Sequence, residues 1–169
     1  MNYQLRFFSI LVASLFVHIL YAQISFGGIP LSWQKGNSIL KSSKELKSHQ
    51  INNPFTIQQL IDDEELYDGM PERVGINLMA GLSLAEDGEW ETLRSGENLC
   101  RLKIESKGAV AISLYYSSFR IPKDGKLFIY SGDNSHLLGA YTHETSPEGG
   151  VFASEFVAGD NLILEYFSP

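Results

Sequence analysis

From about Arg73 onward, apolar residues fall in short runs that recur roughly every ten residues, each closed by Gly, Asp, Asn or Pro. In NLCRLKIE, Cys100, Leu102 and Ile104 alternate with Arg101, Lys103 and Glu105. That period of two marks a strand with one buried face. AVAISLYY sets Val110, Ile112, Leu114 and Tyr116 on one side. KLFIYS, HLLGAYT and VFASEFVA are further runs of this kind, and NLILEYF is apolar on nearly both faces, as a central strand would be. About eight or nine strands with no helical stretch between them predict an all-β fold over residues 72–169, an antiparallel β-sandwich of jelly-roll type. A parallel β-helix fits poorly, because the segments do not repeat in sequence.

The turns carry their own signals. Asp87-Gly88 predicts a two-residue hairpin that would set Leu82 opposite Leu93 and Ala85 opposite Trp90. Pro122, Asp124 and Gly125 in RIPKDGK predict a second turn. In SGDNSH, Gly132, Asp133 and Asn134 tolerate the backbone angles of a tight turn.

Upstream of the strands the texture differs. Residues 1–22 place Arg6 before an apolar run at 7–20 and small Ala22, the pattern of a secretory signal peptide cleaved after Ala22. The run is too short for a hydrocarbon core of ~30 Å. No cysteine follows Ala22, so a lipid anchor there is excluded. Residues 23–71 form an irregular segment. It is rich in Ser, Asn, Gln and Gly up to Asn53 and interspersed with Lys35, Lys41, Lys44 and Lys47, where processing could fall. Its one apolar patch, ISFGGIPLSW, has three open fates: an edge strand, a docking element or a loose tail. Thr56 as N-cap, with Ile57, Leu60, Ile61 and Leu66, predicts a short helix. The acidic run at 62–65 lacks the alternating ligands and glycine of a calcium loop and is a solvated face.

Composition narrows the function. The chain has 169 residues, 44% of them hydrophobic and 20% charged, enough for one domain plus a leader. The formal charge is −7; without Arg6 it is 12 basic against 20 acidic side chains, or −8. This lacks the basic footprint of a nucleic-acid binder and would be repelled by anionic lipid, so neither nucleic acid nor, after leader cleavage, a membrane is expected as partner. Cys100 is the only cysteine, which excludes an intrachain disulfide and predicts a small buried hydrophobe.

No catalytic set emerges. His136 and His143 are seven residues apart and would point to opposite faces of a regular strand, against a shared zinc site. GxSxG, GDSGG, the P-loop and GxGxxG are all missing, so the reading is of a non-enzyme with no cofactor. The weak hint of binding is aromatic. Among Trp33, Trp90, Tyr115, Tyr141 and Phe152, the tryptophans Trp33 and Trp90, with Asp133 and Asn134 of the polar turn, are the candidate binding surface.

GGIPLSW, GINL, the stretch from DGEWETLRSGENLC through KLFIYSGDNSHLLGAYT, and VAGDNLILEYFSP together resemble the N-terminal region of secreted bacterial serine endopeptidases of the lysyl-endopeptidase type. The likeness spans about residues 26–169 and lies in the order of G-x-W-x-x-L-x-x-G, S-x-G-A, F-x-I/L-P-x-G-x-L-F-I-Y and G-D-x-x-x-x-E-Y. Cys100 departs from it, standing where that family carries a bulky aromatic. The family's catalytic residues have no positions here to be carried onto. The resemblance therefore implies a non-catalytic, propeptide-like domain that assists folding of a trypsin-like serine protease domain or inhibits it. The SGDNSH turn also resembles a turn of CUB-like adhesion sandwiches that can hold calcium, with Asp133 and Asn134 as the matching positions. The alternative function is a secreted carbohydrate-binding or adhesion β-sandwich module.

Overall fold

A computed structural model of the chain describes residues 25–34, 45–56, 58–60, 62 and 74–168. The signal-peptide reading, the lysines at 35, 41 and 44, and most of the acidic run lie outside the described residues. The fold is largely β. Its main sheet has six strands: β1 (Ser48–Gln50), β2 (Glu89–Thr92), β3 (Asn98–Glu105), β6 (Lys126–Ser131), β7 (Leu137–Tyr141) and β10 (Asn161–Ser168). Two short ladders complete it, β4 (Ala111–Ile112) with β9 (Val157–Ala158) and β5 (Tyr115–Tyr116) with β8 (Phe152–Ala153).

β10 is the sheet's centre, as its two apolar faces predict. It pairs antiparallel with β3 along eight residues, Asn161 with Glu105 through Ser168 with Asn98, and with β6 from Leu162 to Phe167. β7 follows β6 through a register shift at Leu127/Phe128. On the far edge of β3, β2 pairs antiparallel with 98–101 and β1 pairs parallel with 103–105. The sheet is therefore mixed, not purely antiparallel as the sequence suggested. Nothing in the polar SHQ of β1 signals a strand; it is held by register against β3, by Ile51 N–H on the Glu105 carbonyl at 2.8 Å, and by Ser48 Oγ on Glu105 at 2.9 Å.

Opposed residues on neighbouring strands share a face. On the first face, Leu102 and Ile104, Leu162 and Leu164, and Leu127 and Ile129 meet Phe119, Ile121 and Val157 in one buried cluster. Ile112, Leu114, Tyr116 and Phe152 pack against it, so both ladders lie on this side. Phe119 stacks on Phe152 at 4.3 Å between ring centres, and Tyr141 meets both rings edge-on. Val110 departs from the expected face. It lies just outside β4, where its carbonyl accepts from Gly159 N–H at 2.8 Å, and its side chain is 89% exposed.

The Asp87-Gly88 hairpin does not form. Leu84–Asp87 is a helical turn, and Trp90 faces Cys100 across β2 and β3, not Ala85. The reason is local. Ser83 Oγ caps Glu86 N–H at 3.2 Å, and the Asp87 carboxylate accepts from Ser83 N–H at 2.8 Å, closing the turn at both ends. Gly88 has φ −76°, outside the positive region a type I′ turn requires. It is small for another reason: a Cβ there would lie 2.3 Å from Cys100 Sγ. The Pro122 turn does form, with Gly125 N–H on the Pro122 carbonyl at 3.1 Å and Asp124 at φ +66°. Thr56 and Gln59 exchange side chain and backbone bonds at 2.8 and 3.2 Å, a capping box at the N-cap expected at Thr56; Ile57, Ile61 and Leu66 of that helix lie outside the described residues.

Leu162 is fully buried between Ile104 and Ser131. Leu162→Ala should cost about 3 kcal/mol through lost transfer energy and the cavity left behind. Urea denaturation should show a lower midpoint with an unchanged slope. A loss below about 1 kcal/mol would mean that this centre collapses on itself far more readily than a close-packed core does.

Candidate functional site

The second face of the sheet is built differently. Arg101 of β3, Glu165 of β10 and Phe128 of β6 are cross-strand partners, and Tyr130 sits beside Ile163. Alternation puts a glutamate at the middle of the sheet, where it is only 1% exposed. The ISFGGIPLSW patch covers it. Phe26 N–H donates to the Ala140 carbonyl at 2.9 Å and Ala140 N–H to the Gly27 carbonyl at 3.2 Å, so the patch pairs with the outer edge of β7. Ser25 Oγ donates to the Gly139 carbonyl. Of the fates left open by the sequence, residues 25–34 come nearest the first: the segment bonds to the sheet's edge without itself forming a regular strand.

Beyond the edge pairing, Leu31–Trp33 forms a 3-10 turn over the face. Ser32 N–H donates to Glu165 Oε1 at 3.2 Å, Tyr130 Oη donates to Glu165 Oε2 at 3.0 Å, and Ser32 Oγ bonds Tyr130 Oη at 3.0 Å. The carboxylate thus has a partner on each oxygen, as burial of a charge demands. Burial, with the Glu165 carboxylate beside it, pushes the Tyr130 hydroxyl well above its ordinary range. Trp33 meets the Tyr130 ring edge-on at 5.2 Å. Between patch and sheet remains a cleft of about 290 Å³, walled by Gly27, Gly28 and Leu31 above and Phe128, Glu165 and Phe167 below.

The four residues singled out in sequence do not converge. Trp33 lies on the second face against Tyr130. Trp90 lies on the first, half-exposed, edge-on to Tyr166 at 6.1 Å, with its indole N–H donated to the Leu84 carbonyl at 2.9 Å. Asp133 and Asn134 form the β6–β7 turn, just past Tyr130 and Ser131 at the end of β6. There Asp133 Oδ1 accepts from Ser131 Oγ at 2.6 Å, Ser135 Oγ at 2.7 Å and Ser135 N–H at 3.0 Å, and Asn134 takes φ +61°. One oxygen of this exposed carboxylate is thereby held by its own turn. No group of three or more His, Cys, Asp or Glu among the described residues is placed to hold a metal ion.

Sequence reasoning missed Glu165 as a site residue. The one signal was a carboxylate in the middle of NLILEYF, an otherwise apolar strand. Its partner Ser32 is 133 positions away, beyond the reach of any local pattern. Cys100, by contrast, is placed as predicted: fully buried, its thiol on the Leu84 carbonyl at 3.5 Å and pushed up to about 12 by burial. His136 Nδ1 accepts from Ala158 N–H at 3.2 Å and braces β9. No helix among the described residues is long and apolar enough to cross a membrane. Comparisons of the chain with protein families, with curated proteins and with solved structures find no match.

The bonds from Ser131, followed by those from Ser135, hold the Asp133 carboxyl at about 2, below the usual 3.8. A lowered native value adds stability above the unfolded value that is lost as pH falls through the native one. Wild-type stability should therefore drop between about pH 4 and about pH 2, and Asp133→Asn should flatten that part of the profile. Denaturation midpoints across this range test it; parallel profiles for the two proteins would show that the turn carries no such linkage.

Proposed function

We propose that the chain is a secreted, non-catalytic, propeptide-like domain that works on a trypsin-like serine protease domain by contact, aiding its folding or restraining its activity. The observation that carries this is the fate of the reactive groups. Asp133 bonds within its turn through Oδ1, Glu165 bonds Ser32 and Tyr130, His136 bonds Ala158 and Cys100 the Leu84 carbonyl. What the molecule presents instead is surface: a sheet whose edge and second face already receive an extended segment. The lysyl-endopeptidase resemblance supplies the kind of partner. We also take the finer architecture to be a two-layer sandwich, with the two ladders as the second layer; the cluster shared by Ile129, Leu162, Val157 and Phe119 supports that reading.

The test is titration of the purified protein against a secreted lysine-specific endopeptidase of trypsin type, read as inhibition and as recovery of activity on refolding. Tight inhibition or a severalfold gain in recovered activity is expected. Absence of both overturns the proposal.

A second reading rests on Trp90. Its indole is fixed by Leu84 and Tyr166 yet half-exposed, which makes a flat, preorganised platform of the kind that stacks on a sugar ring. A carbohydrate-binding module would give glycan-array signals that Trp90→Ala abolishes. A blank array removes this reading.

A further inference from the structure

We propose, resting on the protease reading, that Arg120 is the residue this chain presents to its partner, seated in the pocket of a trypsin-type enzyme that accepts arginine. The sequence builds the loop. In SSFRIPKDG, apolar Phe119 and Ile121 flank a cation, and Pro122 biases the residue before it to extended chain. Phe119 and Ile121 are buried in the cluster of the first face, where Phe119 stacks on Phe152. Alternation turns Arg120 outward, and its side chain is exposed. The backbone alternates as well. Phe119 N–H donates to the Gly150 carbonyl at 2.6 Å and Ile121 N–H to Ser146 Oγ at 3.0 Å, so one edge of the segment is tied to residues 146–150. The Arg120 N–H and carbonyl point to the other edge and take no partner among the described residues.

This is what such a cleft recognises. A trypsin-type enzyme takes a cationic side chain into a pocket with a carboxylate, and an extended segment with a free edge can pair with the main chain beside it. The Arg120 guanidinium has no hydrogen bond or ion pair among the described residues, so docking breaks none. Its neighbours are already locked in the core on both sides, which cuts the ordering cost of association. Two other exposed cations lack this geometry. Lys123 lies in the turn closed by Gly125 N–H on the Pro122 carbonyl, and Arg94 in the turn closed by Gly96 N–H on the Leu93 carbonyl. Neither turn can lie along an extended cleft. The partner's pocket therefore has to accept arginine, a planar fork that a pocket shaped for lysine alone does not fit.

Inhibition of trypsin by the purified protein tests this, read as Ki with a small chromogenic arginine substrate. Wild type should compete with benzamidine, an amidinium that fills the same pocket. Arg120→Ala should raise Ki at least about thirtyfold, as loss of a hot-spot side chain does, while Lys123→Ala stays within about twofold. The urea midpoint of Arg120→Ala should match wild type, since the side chain is exposed. Arg120→Lys should still inhibit trypsin and should bind a lysine-specific endopeptidase about tenfold more tightly than wild type does. Undiminished inhibition by Arg120→Ala, inhibition indifferent to benzamidine, or rapid cutting after Arg120 as in an ordinary substrate overturns the proposal and leaves the protease reading standing. So does a chain that aids refolding of the protease without inhibiting it. A chain that does neither overturns both.

Discussion

Everything in this fold is hung on β10. Six of its eight residues, Leu162–Phe167, are paired on both sides, to β3 and to β6, so their backbone polar groups are satisfied without water and their side chains are free to serve two faces. That double pairing sets the register of the sheet. With Leu162 opposite Ile104 and Leu164 opposite Ile129, one face becomes oil; a slip of one residue would turn Glu165 into the core and the leucines out of it. The ladders, the aromatic cluster and the Pro122 turn all follow from where that apolar face points.

The two faces have different physics. The first gains by burying area, at about 25 cal/mol per Å², and tolerates volume-conserving change. The second depends on geometry. A carboxylate removed from water loses several kcal/mol of hydration unless each oxygen finds a donor in place. Here the donors are Tyr130 from the adjacent strand and Ser32 from a segment that arrives from the other end of the chain. Apolar burial would let the N-terminal segment lie down in several ways; Ser32, bonded to Glu165 through its N–H and to Tyr130 through its hydroxyl, allows far fewer.

How much of this was legible follows from the range of each interaction. Alternation in NLCRLKIE and the doubly apolar NLILEYF sufficed for β3 and for the central place of β10, because period and pairing are local matters read over five to eight positions. The Asp87-Gly88 hairpin was misread because Ser83 Oγ takes the Glu86 N–H while the Asp87 carboxylate takes that of Ser83. Two side chain to backbone bonds within five residues outweighed a turn dipeptide, and Gly88 proved to be small for Cys100, not flexible for a turn. β1 had no pattern at all, since three polar residues become a strand only when an edge is already there. Among site residues, Asp133 and Asn134 were rightly seen as fit for a tight turn, whereas Trp33 and Trp90 could not be assigned to opposite faces without the register that separates them.

The buried glutamate is then the place where sequence and stability part company. Replacing a buried charged group and its partners by well-packed apolar side chains is often neutral or stabilising, so the sheet itself does not require a carboxylate at 165 or a hydroxyl at 130, its diagonal neighbour on β6. What an apolar pair would lose is the address for Ser32: the acceptor of its N–H and the hydroxyl that bonds its Oγ both help to place the Leu31–Trp33 turn. The carboxylate therefore contributes less to whether the sheet folds than to where its N-terminal segment comes to rest.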